Sequence, residues 1–394
     1  MRVGCREGPW SLNCLLWPGH GRLAPRKGCS PLLKILFCCE GFLVDGVASF
    51  NLYLSSALAE AGHDVAIVGR WAGFSSFKER HERKGVTVFQ ELALTPVSPR
   101  LIRHAAAFKP DVLITDSRRA FPLALEIKKR TGAKLVTVFH DPARDDRRKN
   151  RGLEIIRAES DAWITSEEPI FEQLNGLAPP FPVSLIRRPI SAMVEPSPLP
   201  PRDPFRVFCL GRLSGYKSPG FRALLDRAFL LKRKIPSLEV AFAGGGDRLP
   251  LYRIEAMKQN ALAGSRFVRV LGTVTDPNPL FRWSTVVCAG ATSAAEGVLS
   301  NRPTFAFSAF WLGLVSEANS RDAIACHFGE RYGSFRLKDR PETVLEALET
   351  LYGNWADSGI EETVKKAREA LEREFSSSLT ASQFETLFRK LSGS

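Results

Sequence analysis

The chain has 394 residues, 44% hydrophobic and 25% charged, with a formal net charge of +13. That length suits about two domains at roughly 150 residues each, and the composition is that of an ordinary globular protein. The positive charge is shared between residues 1–205 (29 basic, 22 acidic) and the remainder (26 and 20), and no aromatic-basic platform accompanies it, which argues against a nucleic-acid role.

Residues 1–32 hold Pro, Gly and Arg without a period, and the apolar stretch Leu12 to Trp17 is too short and interrupted for a signal peptide. They are expected to be a disordered extension, translated from upstream of the true start. Leu33 to Cys39 is the first strand. After the turn Glu40 to Gly46 comes a helix from about Val47 to Ala61, its apolar positions Phe50, Leu52, Leu54 and Leu58 read as helical rather than alternating spacing. Strands follow at Asp64 to Gly69, Val86 to Phe89, Asp111 to Thr115, Lys134 to His140, Ala162 to Thr165 and Val183 to Arg187. Between them lie helices near Pro99 to Phe108, Phe121 to Arg130, Asp145 to Glu159 and Pro169 to Leu177. This alternation predicts a parallel sheet covered by helices over 33–194.

Residues 195–204 contain five prolines and read as a stiff linker. The pattern then restarts over 205–375. Strands are expected at Phe205 to Leu210, Leu238 to Ala243, Phe267 to Leu271, Thr285 to Cys288, Thr304 to Phe307 and Ala323 to Phe328. Helices are expected at Gly220 to Lys232, Leu249 to Ala261, Pro341 to Tyr352 and Ile360 to Phe375. A last helix, Thr380 to Leu391 within 376–394, is expected to return to the first domain.

The stretch Ser284 to Phe307 reads as strand, tight turn, helix and strand. Thr292 and Ser293 sit where that helix begins, and free N–H groups at a helix start favour a phosphate. Glu296 is placed in its first turn, within reach of a sugar's hydroxyls. The plainer reading is a capping box, with Ser293 as N-cap and Glu296 reaching back to it. Other polar residues just after strands are Asp45-Gly46, His140-Asp141, Ser166-Glu167, Arg212 with Lys217, Gly244-Gly245-Gly246 and Gly272-Thr273-Val274. Open α/β sheets bind ligands at that edge. For Arg212 and Lys217 a solvated loop is the alternative, and for His140-Asp141 a simple strand end.

Eight scattered cysteines form no Cys-x-x-Cys pair, and Cys38, Cys39, Cys209 and Cys288 fall in apolar runs, so buried free thiols in a reducing compartment are expected. No metal-ligand spacing and no apolar run of about 18 residues occurs. The dense basic runs Lys78 to Lys84 and Arg144 to Arg157 read as solvated faces, or else as a surface for anionic lipid.

GVASFNLYLSSALAEAGHDVAIVG, LVTVFHD, LGRLSGYK, EVAFAGGGD, VRVLGTVTD and SAAEGVLSNRP, in this order and spacing, resemble the retaining glycosyltransferases of the GT-B fold. This is the family 4-like or "group 1" family with a Glu, seven residues, Glu signature. The resemblance covers nearly all of 33–393. It implies an α/β protein with two Rossmann-like, doubly wound parallel-sheet domains facing a cleft. It also implies a nucleoside diphosphate sugar donor, uridine preferred to guanosine, a glycan or lipid-linked acceptor, no cofactor and no metal. In that pattern Arg212 and Lys217 stabilise the leaving diphosphate, and His140 faces the donor sugar. Thr292, Ser293, Gly244, Gly245 and Gly272 border the donor, Val274 reads the base, Glu296 holds the ribose, and the Asp45-Gly46 loop borders diphosphate and acceptor. The protein would work in the cytoplasm, or at the membrane's inner face.

The sequence departs from the pattern at four points. Cys288 stands where the first signature glutamate, which contacts the transferred sugar, is expected. Asn301 replaces a glycine, Arg188-Pro189 replaces Asn-Pro, and the glycine pair of the first loop is reduced to Asp45-Gly46. Two rival readings stay open. One is a nucleotide-sugar 2-epimerase using Asp116, Asp141 or Glu168 as acid and base. The other is a non-catalytic partner subunit.

Overall fold

The computed structural model describes residues 32–41, 46–70, 75–91, 97–115, 120–140, 147–215, 219–356 and 359–392. The expectations for residues 1–31, Asp45, Asp116, Asp141 and Lys217 lie outside them.

The first half runs β1 (Lys34–Gly41), α1 (Gly46–Glu60), β2 (Asp64–Arg70), α2 (Ser75–Arg83), β3 (Thr87–Glu91), α3 (Pro99–Phe108) and β4 (Val112–Thr115). It continues with α4 (Phe121–Thr131), β5 (Lys134–Phe139), α5 (Arg147–Glu159), β6 (Ala162–Thr165), α6 (Glu168–Gly176) and β7 (Val183–Leu185). Its seven strands pair in the order β3-β2-β1-β4-β5-β6-β7, all parallel. Apolar residues alternate to two covered faces, as a buried parallel sheet requires. Ile35 and Phe37 face α1, while Leu36 and Cys38 face α3 and α4. Helix ends follow local chemistry. Ser98 caps α3 by accepting from Arg100 N at 3.3 Å, Pro99 opens it, and Lys109 closes it in the left-handed region.

The second half runs β8 (Arg206–Leu210), α7 (Pro219–Asp226), α8 (Ala228–Lys234), β9 (Glu239–Ala243), α9 (Leu249–Ala263), β10 (Val268–Gly272) and α10 (Asn278–Trp283). Then come β11 (Val286–Ala289), α11 (Ala291–Leu299), β12 (Thr304–Phe307), β13 (Phe310–Leu314), α12 (Ser320–Ala325), β14 (Phe335–Arg336), α13 (Thr343–Gly353), α14 (Ile360–Glu374) and α15 (Ser377–Ser392). The strand order, β10-β9-β8-β11-β12-β13-β14, repeats that of the first sheet, but β13 and β14 are antiparallel. Phe208, Val287 and Ala289 share a core with α11 and α14, whereas Cys209, Phe242 and Cys288 point to the opposite face. Helix α14 packs on α11, and α15 packs on α1, so the chain's last turns touch both halves.

Two local expectations are corrected. The helix expected over Gly220 to Lys232 is two helices, because Gln259 inserts at the break. Its Oε1 accepts from Phe229 N at 2.9 Å and its Nε2 donates to Asp226 O at 3.1 Å. The strand expected at Ala323 to Phe328 is instead α12, a short apolar run whose period does not separate strand from helix. The basic run at 78–84 lies on α2 up to Arg83, with Lys78 and Arg83 paired to Glu82 and Glu79 one turn away.

Segment 188–204 is anchored rather than free. Asn278 bonds Met193 O and Glu195 N. Arg302, 2% exposed, donates to Ser197 O, Pro198 O, Phe281 O and Asn301 O at 2.8–3.1 Å. Cys38, Cys39, Cys209, Cys288 and Cys326 are buried.

Candidate functional site

Both strand orders reverse at a switch point, between β1 and β4 and between β8 and β11, where ligands bind beyond the carboxyl ends of strands. The two edges face each other across one cleft of about 750 Å³, within the size range of small-molecule sites. The first half supplies Gly46, Tyr53, Arg80, His140, Glu167 and Arg188. The second supplies Arg212, Gly244 to Gly246, Thr273 to Thr275, Gly290 to Ser293, Glu296, His327, Glu330 and Arg331.

The start of α11 forms one wall. Its N-cap is Gly290, with no side-chain cap bond, so the capping box at Ser293 does not form. Ser293 is the third residue of the helix and Glu296 lies in its second turn. The helix begins at Ala291, whose φ of 51° is a left-handed conformation costly for a residue with a Cβ. Arg188 bridges this wall to the opposite one. Its guanidinium donates to Thr292 Oγ1 at 3.0 Å and to Gly46 O, at the start of α1, at 3.2 Å. Arg212 stands exposed at the rim. The glycines behind it serve chain packing. A Cβ on Gly244 would lie 1.8 Å from Gly211 O, and one on Gly246 2.3 Å from Leu213 O, so only glycine lets these loops stack. Gly272 does not line the cleft, but its carbonyl accepts from Gly244 N at 2.7 Å.

Glu296 is 6% exposed, and the Tyr53 hydroxyl donates to its carboxylate from α1. Burial pushes Glu296 up to about 7, only partly offset by the Tyr53 bond and the Arg80 and Arg188 cations. Burial likewise raises the Tyr53 phenol, and the Glu296 charge adds to it. His140 sits edge-on to Phe50 at 4.8 Å, and Arg188 lies over that ring at 5.8 Å. Burial, with the Arg188 charge adding, lowers His140 to about 3, so its imidazole is neutral. Both of its ring nitrogens are buried without a hydrogen-bond partner. A neutral imidazole offers one donor and one acceptor to a ligand.

A charged group closes the far side. Glu167, just after β6, accepts from Arg331, with His327 Nδ1 at 3.8 Å, and His327 also lies 3.3 Å from Glu330. Arg80 of α2 donates to Thr275 O across the cleft. Cys288 is not part of this site. It lies fully buried in the interior of β11, opposite Cys209 of β8, so its side chain faces the core and not the cleft. Glu168 pairs with Arg187, which also pairs with Glu374, and it does not line the cleft.

Of the residues expected in the site, Gly46, His140, Arg212, Gly244, Gly245, Val274, Thr292, Ser293 and Glu296 converge on this one cleft. Sequence reasoning missed Tyr53, Arg80, His327, Glu330 and Arg331, and noted Arg188 only as a departure. Arg188 and Glu167 follow strands β7 and β6, which is a readable signal. Tyr53 and Arg80 lie within helices, and nothing in their spacing marks them. Among the described residues, no cluster of three or more His, Cys, Asp and Glu is arranged to hold a metal ion, and no helix is long and apolar enough to cross a membrane.

Residues 44–192 match the family model described as Glycosyltransferase Family 4. No curated protein matches the chain. Among solved structures it is similar to a glycosyltransferase from Rickettsia africae, with TM-score 0.64 and 15% identity, covering 92% of this chain and 99% of that one. It is also similar to Anabaena HepE in complex with UDP and glucose, with TM-score 0.60 and 15% identity over 92% and 100%. A third is a putative UDP-N-acetylglucosamine 2-epimerase from Listeria monocytogenes, with TM-score 0.58 and 11% identity over 91% and 96%. The chain therefore has the GT-B fold of two Rossmann-like domains, and its resemblance to GT-B glycosyltransferases rests on the family match in the first domain and the shared fold across both.

Proposed function

We propose that this protein moves a sugar from a nucleoside diphosphate sugar, uridine preferred to guanosine, onto a glycan or lipid-linked acceptor, with retention and without a bound metal. The observation that carries this reading is the convergence, at the carboxyl edges of two sheets, of the α11 start, Arg212, Glu296, His140 and the Gly46 end of α1. A diphosphate leaving group gathers negative charge as the sugar departs. The free N–H groups at Thr292 and Ser293, the Arg212 fork and Lys217 stabilise that charge. Glu296, once ionised and released from Tyr53, accepts from the ribose hydroxyls, and the Val274 backbone reads the base. His140, being neutral, hydrogen-bonds the sugar near its reacting carbon and does not act as a proton carrier near pH 7. The protein works in the cytoplasm, at the inner face of the membrane when the acceptor is lipid-linked.

Calorimetric titration with UDP and GDP, on wild type and Glu296→Ala, tests this. Binding of UDP that the mutant loses supports the donor site. Binding of neither nucleotide points to the non-catalytic partner reading.

One observation favours a second reading. Glu167 and Glu330 bring two carboxylates into the same cleft beside His327, and an epimerase needs acid and base groups there. Conversion of UDP-N-acetylglucosamine without any acceptor would select it.

A further inference from the structure

Arg188 has a task that packing alone does not explain. Its side chain is 9% exposed, and it stands where the resembled family closes its first domain with Asn-Pro. Its Nε donates to Ser166 Oγ at 3.3 Å, and one terminal nitrogen serves both Gly46 O and Thr292 Oγ1. These partners, and the Phe50 ring beneath it, are neutral. Glu167, Glu330 and Glu296 all act on its charge; Glu167 Oε1 stands 4.0 Å away and that side chain already accepts from Arg331, while Glu296 accepts from Tyr53. A guanidinium taken out of water is costly unless an anion meets it closely and with hydrogen bonds. The residues it touches, Gly46 and Thr292, lie at the starts of α1 and α11, and α11 has no side-chain cap bond; helix starts favour negative charge.

We propose that Arg188 binds the diphosphate of the donor. From the junction between the two domains it completes the positive lining made by Arg212 and the start of α11. The proposal rests on the donor-site reading above. In the transfer, the bond between the sugar's anomeric carbon and the β-phosphate oxygen breaks, and its electron pair stays on that oxygen. The acceptor's hydroxyl oxygen bonds to the anomeric carbon, and its proton passes to the departing phosphate. Arg188 holds the phosphate on which this charge accumulates through its second terminal nitrogen, the one that does not serve Gly46 O and Thr292 Oγ1.

The experiment is calorimetric titration of uridine, UMP and UDP on wild type, Arg188→Met and Arg188→Lys, with thermal unfolding to confirm folding. Wild type is expected to prefer UDP to uridine. Arg188→Met should weaken UDP about ten- to hundredfold, the worth of hydrogen bonds to a charged group, and leave uridine unchanged. Arg188→Lys should fall between. If the Met variant does not fold, the ratio of UDP to uridine affinity in the Lys variant decides. A ratio equal to wild type in the folded variants overturns the proposal, makes Arg188 a strut between domains and leaves the donor site standing. A wild type that binds no nucleotide overturns the donor reading and this proposal together.

Discussion

The Tyr53 hydroxyl of α1 donates to the Glu296 carboxylate of α11, joining residues 243 positions apart across the cleft. In the free protein this phenol occupies the carboxylate assigned above to the ribose. Removing it should therefore ease nucleotide binding while costing stability. Tyr53→Phe is expected to bind UDP a few-fold more tightly and to lose about 1–3 kcal/mol of folding free energy, because a buried carboxylate loses its donor. Calorimetry and urea unfolding read the two effects, and weaker UDP binding would make Tyr53 a ligand contact instead.

The raised titration of Glu296 gives stability a pH signature. Its folded value is about 7 against 4.5 unperturbed. Between those values the folded state holds the proton that the unfolded state has released, so this contribution falls as pH rises through the window. Above pH 7 the penalty is complete, about 3 kcal/mol at roughly 1.4 kcal/mol per unit. Glu296→Gln should match wild type near pH 4 and exceed it at pH 8 in denaturant titrations. A gain independent of pH would show that ionisation is not its source.

Arg212 is exposed, so its truncation should leave folding intact. The double variant Arg212→Ala, Lys217→Ala should transfer sugar about 10²–10³-fold more slowly. Near-normal turnover with an unchanged melting temperature would remove both from the mechanism.

Metal-independent transfer predicts that EDTA leaves the rate unchanged. A strict requirement for Mn²⁺ in steady-state assays would refute it.

Arg302 meets six backbone carbonyls from inside the protein. Arg302→Met should cost about 3–5 kcal/mol by orphaning them. Arg302→Lys should rescue little, since one ammonium cannot span a fork's partners. The denaturant midpoint of each variant measures this.

Strands buried on both faces, such as Leu36-Phe37-Cys38 and Val286-Val287-Cys288, are legible in the sequence because their apolar runs are continuous. The polar residues just after them locate most of the cleft. What escapes is set by distant partners. Nothing near Asp226 announces that Gln259 will break the helix there. The antiparallel strand Phe310–Leu314 lacks the helix that marks a parallel crossover. Arg80 reads as one charge in a basic run until α2 carries it to Thr275. Cys288 occupies the expected position in sequence but points the other way in space, because β11 continues through Ala289 and the turn falls after it. The cleft's other carboxylates, Glu167 and Glu330, come instead from chain segments far from the α11 stretch.

The polypeptide passes between the halves twice, near Arg187 to Ala192 and near Phe375 to Ser377, and the two passages are stitched side by side. Ser191 N donates to Phe375 O at 3.3 Å, Ser377 N to Ser191 Oγ at 3.0 Å, and Thr380 Oγ1 to Arg187 O at 3.1 Å. Beyond Ala192 the chain is fixed to the second half by Asn278 and Arg302, so the prolines supply no play. Any swing that parts the cleft walls must turn about this paired crossing, like a door on two adjacent pins. Arg188 sits on the pin itself while gripping Gly46 and Thr292 on the opposing leaves, so the angle between the halves and the grip of one arginine are a single coordinate.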